Sequence, residues 1–267
     1  MKSRELRLKD EKPIDEEIRL NKFLSDAGFC SRREADRLIE QGKVIVNEKV
    51  AVMGQKVTSN DVVKVDNRIV VREEEQILIA FNKPVGVECT SDLMNPDNII
   101  DYIGYSKRIY PIGRLDKNSQ GLILLTNDGS LVNNILKASN YHEKEYIVTV
   151  DKPITKDFIQ NMSSGVEIPT EGFIRRKQSD GEVKKQMTRP CKVTKIDKHT
   201  FNIILTQGLN RQIRRMCEEL GYHVQKLKRI RVMNVELGIL PIGTYRDVSN
   251  QERQKLLDSL KGKTEKK

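Results

Sequence analysis

The segment PIGRLDKNSQGL, residues 111–122, constrains this chain most because it joins a charged turn to a buried strand. Asp116 lies between the cations Arg114 and Lys117, and a glycine stands on each side of the group. The apolar run at residues 122–125 predicts a buried strand. Neighbouring cations favour an ionised carboxylate, and glycine permits tight turns and close approach of a ligand. The segment is a candidate catalytic turn, although a solvated surface turn with a local ion pair would carry the same charges.

The composition bounds the class of protein. A chain of 267 residues allows one large or two modest domains with a sizeable core. No apolar run approaches the roughly 18 residues of a membrane span, and the polar N-terminal residues contain no secretory signal. Four separated cysteines and three histidines, without a CxxC pair, argue against a zinc site or a disulfide framework. We expect a cytoplasmic protein with reduced thiols, no metal, no cofactor and no membrane association.

The net charge of +10 indicates a polyanionic partner. Residues 1–14 and 261–267 contribute +2 and +3, and we expect both to be flexible tails. Residues 172–192 carry +5 inside the fold and are the better candidate for a loop that contacts phosphates. Aromatic residues make up only 5% of the chain and tryptophan is absent, so shape and phosphate contacts are expected to outweigh extensive base stacking.

Residues 15–65 predict a compact module of two helices followed by short strands. Apolar residues recur with helical spacing from Ile18 onward, and Ser31 with Glu34 forms a capping box at the start of the second helix. Valine-rich segments then predict the strands. A module of this size can only just fold alone.

The second helix carries a cluster of arginines, Arg32, Arg33 and Arg37, away from its apolar stripe. Residues 15–56 hold eight basic and eight acidic residues, so a solvated helix face with local ion pairs is the alternative to RNA binding. The module resembles the S4 RNA-binding domain in three segments, LNKFL at 20–24, CSRREA at 30–35 and IEQG at 39–42. The resemblance implies RNA binding and no catalysis by this module.

A larger domain is expected to follow. Residues 66–75 are polar and acidic and predict a linker, residues 76–255 the catalytic domain, and residues 256–267 a basic tail. Strands predicted at 77–81, 122–125, 146–150 and 201–206 are separated by irregular lengths rather than by regular helices. This pattern predicts a mixed, largely antiparallel sheet flanked by helices, so the fold class of the chain is α+β.

Two further segments carry candidate functional side chains. Tyr146 stands near the start of a predicted strand, and a helix predicted over residues 208–221 carries three arginines. Arg211 and Arg215 are expected to face solvent or RNA, whereas Arg214 adjoins the buried stripe and can enter a cleft to meet a buried anion. Considered singly, Tyr146 is better explained as a packing residue and Arg214 as an ordinary surface charge.

Both halves of the chain resemble one family. The segments GRLD at 113–116, NRQIRRM at 210–216 and RIR at 229–231 are similar to the ribosomal RNA pseudouridine synthases of the RsuA (small-subunit synthase A) type, which carry an N-terminal S4 domain. The segments KNSQGL at 117–122, HEKEY at 142–146 and VDKPIT at 150–155 resemble the large-subunit synthase F branch of that family. The resemblance runs from about Leu20 to Asp247. It implies isomerisation of a uridine in large-subunit (23S) ribosomal RNA by a base-flipping enzyme, which we expect to be a monomer.

The resemblance also implies roles for individual residues. Asp116 would be the catalytic aspartate, Tyr146 would pack against the uracil and could assist proton removal from C5, and Arg214 would pair with Asp116, with Ile213 closing the apolar side of the pocket. The residues that would contact RNA near the target are Arg114, Lys117, Asn210 and Arg211. Whether the carboxylate attacks C1′ or removes a ribose proton stays open. A non-catalytic S4 protein that holds ribosomal RNA, or the same chemistry on another RNA, is the alternative.

Overall fold

The computed structural model describes residues 17–71, 75–92, 94–137, 141–170 and 184–261. The chain divides into two compact units, Met1–Glu75 and Gln76–Lys267. The tail expected at residues 1–14 and most of the basic block at 172–192 lie outside the described residues. Within the described ranges, no helix has both the length and the apolar character needed to cross a membrane.

The N-terminal unit pairs two helices with short strands. Its elements are β1 (Ile18–Arg19), α1 (Leu20–Asp26), α2 (Arg32–Glu40), β2 (Val44–Val46), β3 (Lys49–Val50), β4 (Lys56–Val57), β5 (Val63–Val65) and β6 (Arg68–Ile69). The strands β3, β2, β5 and β6 form an antiparallel sheet in that order, and β1 pairs with β4. The Ser31 side chain accepts a hydrogen bond from the backbone N–H of Glu34 at 3.2 Å, which confirms the predicted start of α2. The Glu34 side chain forms an ion pair with Arg37 at 3.0 Å.

Residues 66–70 correct the predicted linker boundary. Asp66 and Asn67 have φ values of 47° and 62°, so they form a tight turn that returns the chain as β6 beside β5. Val70 is only 8% exposed and packs in the core of the unit. The polar residues Asp66 and Asn67, which predicted a linker, form a hairpin turn. Turns and linkers are rich in the same residue types, so composition does not distinguish them.

The C-terminal unit is built on one large sheet. Its elements are β7 (Leu78–Lys83), α3 (Ile99–Ile103), β8 (Tyr110–Pro111), β9 (Gln120–Thr126), α4 (Gly129–Leu136), β10 (Lys144–Val150), α5 (Lys156–Ser164), β11 (Glu167–Pro169), β12 (Lys185–Met187), β13 (Lys192–Lys195), β14 (Thr200–Leu205), α6 (Gln212–Glu219), β15 (Val224–Val232), β16 (Val235–Glu236), β17 (Tyr245–Asp247) and α7 (Asn250–Lys261). The sheet order is β13-β14-β10-β15-β9-β7-β17, with β16 on β15 and β8 on β9. Only β9 and β15 are parallel among these described pairs, so the predicted mixed, largely antiparallel sheet is confirmed.

Both faces of the sheet are covered, which explains the uninterrupted apolar run in β9. Leu122 and Leu124 belong to the core shared with α4 and α7, whereas Ile123 and Leu125 belong to the core shared with α5 and α6. A strand buried on both faces has no polar side to alternate with. The central strands are therefore enclosed by helices on both faces.

The predicted basic tail at residues 256–267 also needs correction. The helix α7 continues to Lys261, and Leu256 and Leu260 are 0% and 9% exposed in the core below the sheet. These two apolar residues are four positions apart and so lie on one helix face. The boundary predicted after residue 255 from charge alone was therefore too early, because Leu256 and Leu260 form the apolar stripe of a helix.

Candidate active site

A cleft of about 780 Å³ opens in the C-terminal unit. It lies where the loop before β9 meets β10, β15 and the start of α6. Its apolar wall includes Leu115, Tyr146, Leu205, Ile213 and Leu227. Among the described lining residues Asp116 is the only acid, and the seven Lys/Arg are Arg114, Lys137, Lys144, Arg211, Arg214, Arg215 and Arg229. The cleft can therefore accept an apolar ring beside a carboxylate and bind anions around it.

The loop that carries Asp116 is tied to the segment after β7. The backbone N–H of Gly86 donates to the carbonyl oxygen of Lys117 at 2.9 Å, and the N–H of Leu115 donates to Cys89 Sγ at 3.4 Å. Burial raises the pKa of the Cys89 thiol, which keeps this sulfur protonated. The carboxylate itself is 34% exposed and opens into the cleft.

The close pairing of β9 with β15 depends on Gly121. Its φ of 112° is a conformation that favours glycine, and its Cα is the partner of Arg229. A Cβ at this position would lie 2.7 Å from the backbone nitrogen of Arg229 and nearer still to its carbonyl oxygen. The second glycine of the sequence motif thus lets the loop of Asp116 approach β15.

Arg214 connects this loop to the helix α6. Its Nη2 donates to the carbonyl oxygen of Asn118 at 2.9 Å and to Ser119 Oγ at 3.3 Å, and its Nη1 donates to the carbonyl oxygen of Val224 at 3.2 Å. Its Nε lies 4.0 Å from Asp116 Oδ2. The residue is 8% exposed, and the buried Nε donates no hydrogen bond within the described part of the chain. Arg214 therefore positions the loop through three oxygens and directs its remaining donor towards Asp116.

A second arginine flanks the carboxylate from the entry to α6. Arg211 Nη1 lies 3.8 Å from Asp116 Oδ2, and its φ of 48° is left-handed. Helix α6 consequently begins at Gln212, four residues later than predicted, because this left-handed residue turns the chain into the helix. Burial lowers the pKa of Arg214 and the nearby Arg211 adds to the effect, whereas Asp116 opposes it.

Tyr146 and Ile213 form part of the apolar wall. Tyr146 is 9% exposed on β10, where its Cα is the partner of Arg229 on β15. The register between these strands shifts between Glu145 and Tyr146, and such a bulge redirects side chains near a site. Ile213 is 4% exposed in the first turn of α6.

Sequence reasoning missed a fully buried lysine next to the loop. Lys83 is 0% exposed, and its Nζ donates to the carbonyl oxygens of Pro84 at 2.8 Å, Val87 at 2.7 Å and Lys117 at 3.4 Å. Burial lowers its pKa to about 8. Its position before a proline was the available signal, but this predicts only an extended backbone.

Two further cations of the cleft, Arg229 and Lys144, stand in the motifs RIR and HEKEY but were given no role in the site. Arg229 is 3% exposed, and its Nε donates to the carbonyl oxygen of Leu122 at 2.6 Å. Lys144 precedes Tyr146 by two residues on β10, and burial followed by the charge of Arg229 lowers its pKa to about 8. The two-residue spacing from Tyr146 was a usable signal, since alternate strand residues share a face.

The cleft brings together most of the predicted site residues. It gathers Asp116, Tyr146, Ile213, Arg214, Arg114, Asn210 and Arg211. Lys117 does not line it, and its ammonium group instead pairs with Asp97 at 2.6 Å. Arg32, Arg33 and Arg37 are exposed on α2 in the N-terminal unit.

The expectation that Arg215 faces solvent or RNA is wrong. Arg215 is 5% exposed, and its guanidinium donates to the carbonyl oxygens of Pro169 and Asn210. Helical spacing placed it beside Arg211, but β11, which packs against α6, covers that face. Among the described residues, no group of three or more His, Cys, Asp or Glu side chains is arranged to hold a metal ion.

Comparison with known proteins connects this geometry to a chemistry. The family model for RNA pseudouridylate synthase matches residues 77–219, and the S4 domain model matches residues 18–70. The dual-specificity RNA pseudouridine synthase RluF of Escherichia coli (strain K12) is 53% identical over 240 residues, which are 89% of this chain and 78% of the relative. The ribosomal large subunit pseudouridine synthase B of Bacillus subtilis (strain 168) is 35% identical over 245 residues, which are 89% of this chain and 95% of the relative.

A solved structure agrees with these matches. The crystal structure of a pseudouridylate synthase aligns with a TM-score of 0.63 and 27% identity, covering 90% of this chain and 99% of that chain. The family resemblance in the sequence motifs is thereby confirmed. The chain belongs to the RNA pseudouridylate synthase family, and it is a pseudouridine synthase with an S4 domain before its catalytic domain.

Proposed function

We propose that this protein converts a uridine of large-subunit ribosomal RNA to pseudouridine, with Asp116 as its catalytic residue. The position of Asp116 carries the proposal. Its partly exposed carboxylate lies in a basic cleft, and guanidinium nitrogens lie 3.8 and 4.0 Å from its Oδ2. The large-subunit target is supported by relatives such as the synthase B of Bacillus subtilis, whose name states that target.

The reaction exchanges one glycosidic bond for another. The N1–C1′ bond breaks, the uracil rotates, and C5 bonds to C1′; C5 then loses its proton and N1 carries one. Atoms and electrons balance within the nucleotide, so neither an oxidant nor an energy source is required. Asp116 fits either as a nucleophile at C1′ or as a base for a ribose proton, since both need an ionised carboxylate that reaches the ribose.

Arg214 is a positioning residue in this proposal. It holds the carbonyl oxygen of Asn118 and the hydroxyl of Ser119, and its Nε lies 4.0 Å from the Asp116 carboxylate. Catalytic hydrogen bonds commonly tighten in the substrate complex, and the buried Nε is available to close this distance. Arginine suits the task because it stays charged when buried.

The apolar wall would receive the flipped base. The target must leave its stack to reach Asp116, and a flipped base is usually held between aromatic and apolar side chains. Tyr146, Ile213 and Leu227 provide such a surface beside the carboxylate. The cations Lys144 and Arg211 line the same cleft and would bind the flanking phosphates, whereas the buried Arg229 donates to the carbonyl oxygen of Leu122.

Replacement of Asp116 by Asn tests the proposal. Pseudouridine formation on a transcript of large-subunit ribosomal RNA should fall by at least about a thousandfold, since the variant lacks the group that reacts. RNA affinity should be retained, because no cation is lost. The matched control is Asp97→Asn, which changes an exposed carboxylate that pairs with Lys117 outside the cleft and should keep activity. Wild-type rates from Asp116→Asn would refute the assignment.

Action on more than one RNA is a second candidate. The relatives at 52–53% identity are named dual-specificity RNA pseudouridine synthases, whereas those named for the large subunit are 34–35% identical. Pseudouridine mapping of ribosomal and transfer RNA from cells with and without the protein separates the two. We further propose that the enzyme acts in the cytoplasm as a monomer without metal or cofactor, and sedimentation of the purified protein tests the oligomeric state.

A further inference from the structure

Tyr141 and Arg189 form a cation–π pair that the uridine chemistry does not use. The guanidinium carbon of Arg189 lies 4.1 Å from the centroid of the Tyr141 ring. The tyrosine is nevertheless 55% exposed, so the arginine covers only part of its ring. A flat aromatic surface therefore faces solvent while its orientation is held from one side.

The pair lies at the rim of the cleft that contains Asp116. Tyr141 directly precedes His142, which lines the cleft. Arg189 donates its backbone N–H to the side chain of Gln207 and its Nη1 to the carbonyl oxygen of Thr206 at 3.4 Å, and both residues are lining residues. Arg189 is thus hydrogen-bonded to the wall of the cleft, and Tyr141 is next in sequence to a residue of that wall.

The arginine belongs to a firmly held segment. Its neighbour Thr188 is 1% exposed and exchanges two hydrogen bonds with Val166, one through its hydroxyl at 2.9 Å and one through its backbone N–H at 3.0 Å. Tyr141 has a φ of 52°, which a bulky residue rarely adopts. A platform held in this way loses little side-chain freedom when a flat ligand stacks on it.

We infer that Tyr141 is a stacking platform for an RNA base next to the target uridine, with Arg189 holding the ring in place. The inference rests on the proposed function. When a nucleotide flips out, the adjacent base loses a stacking neighbour, and single-stranded RNA bases stack readily on tyrosine. The basic lining of the cleft attracts the backbone on both sides of the flipped nucleotide.

Fluorescence provides a test that does not depend on catalysis. The chain contains no tryptophan, so Tyr141→Trp in the Asp116→Asn background introduces a single reporter. Titration with a large-subunit ribosomal RNA transcript should quench its emission saturably. The matched control is Tyr245→Trp in the same background, because Tyr245 is 43% exposed on the edge strand β17 and does not line the cleft. The emission of the control reporter should fall only to the extent that the RNA absorbs the exciting light. Equal quenching of the two reporters would overturn the inference.

Kinetics test the energetic role of the ring. Tyr141→Ala should raise KM roughly tenfold with little change in kcat, since stacking contributes about 1–3 kcal/mol per base, whereas Tyr141→Phe should keep wild-type values. A lower melting temperature with an unchanged KM would mean a purely structural pair and would also overturn the inference. Saturable quenching in Tyr141→Trp with no pseudouridine made by the wild type would support stacking while refuting the proposed RNA target.

Discussion

Burial alters the acid–base behaviour of two lysines near Asp116. Lys83 and Lys144 both have a pKa of about 8, and desolvation is the largest cause for each. Lys83 has no exposed surface and donates to three carbonyl oxygens, so it acts on the structure of the loop. Lys144 lines the cleft and can meet RNA directly. The same physical effect therefore has a structural consequence at one lysine and a binding consequence at the other.

RNA affinity should decrease as the pH rises from 7 to 9 because of Lys144. Its ammonium group begins to lose its proton near pH 8 in the free protein, whereas neighbouring phosphates favour the charged form. Binding above pH 8 then takes up a proton, and the affinity falls by at most about tenfold per pH unit for this one group. Dissociation constants of Asp116→Asn at constant ionic strength measure the effect.

The matched variant for this prediction is Lys144→Met in the same background. It keeps the apolar stem and removes the titrating group, so the pH dependence should flatten. Lys83 is present in both proteins and its contribution cancels in the comparison. Identical slopes with and without Lys144 would contradict the assignment.

At the scale of elements, the parallel pair β9–β15 assembles the site. Asp116 precedes β9, Arg229 lies on β15, and Arg214 lies on the helix that leads into β15. The loop and the helix approach each other because Gly121 allows the two backbones to lie close together. One glycine thus controls a contact between segments nearly a hundred residues apart.

Gly121→Ala should destabilise the protein by about 2–5 kcal/mol, because it combines a strained φ with overlap of backbone atoms. Chemical denaturation measures the free energy of unfolding. Gly208→Ala is the control, since an added Cβ there meets nothing within 4 Å and should change stability by no more than about 0.5 kcal/mol. Similar stabilities of the two variants would argue against the close approach.

At the scale of the whole molecule, basic surface is present in both units. The cleft is lined by seven Lys/Arg among its described residues, and α2 of the S4 domain exposes Arg32 and Arg33. A chain with a net charge of +10 is expected to bind RNA with strong dependence on salt, because phosphate contacts release counterions. Contacts in each unit should contribute to that dependence.

The variant Arg32→Ala/Arg33→Ala should weaken RNA binding and reduce the slope of log affinity against log salt by about one to two. Its kcat should be unchanged, because neither residue lies in the unit that contains Asp116. Lys64→Ala is the control, since Lys64 already pairs with Glu48 at 2.6 Å in the same unit. A slope equal to that of the wild type would show that the α2 arginines do not contact phosphates.

Local patterns predicted most of the elements correctly. The cap of α2, the buried strand after the Asp116 turn and the apolar stripe of α6 depend on residues within a few positions of each other. The errors occurred where a distant part of the chain decides the outcome. Residues 66–70 form a strand because β5 is beside them, and residues 256–261 continue a helix because the core covers its apolar side.

The sequence alone determined the α+β class, the family and the identity of Asp116 as the candidate carboxylate. Motifs and hydrophobic periodicity can be recognised there because they involve residues that are close together in the chain. The tertiary structure decided which cations surround that carboxylate. Arg215 is turned inward, Lys117 pairs outside the cleft, and Lys144 and Arg229 become part of its lining. The physical reason is that burial and hydrogen-bond partners come from segments far apart in the chain, which only the pairing of β10, β15 and β9 brings together.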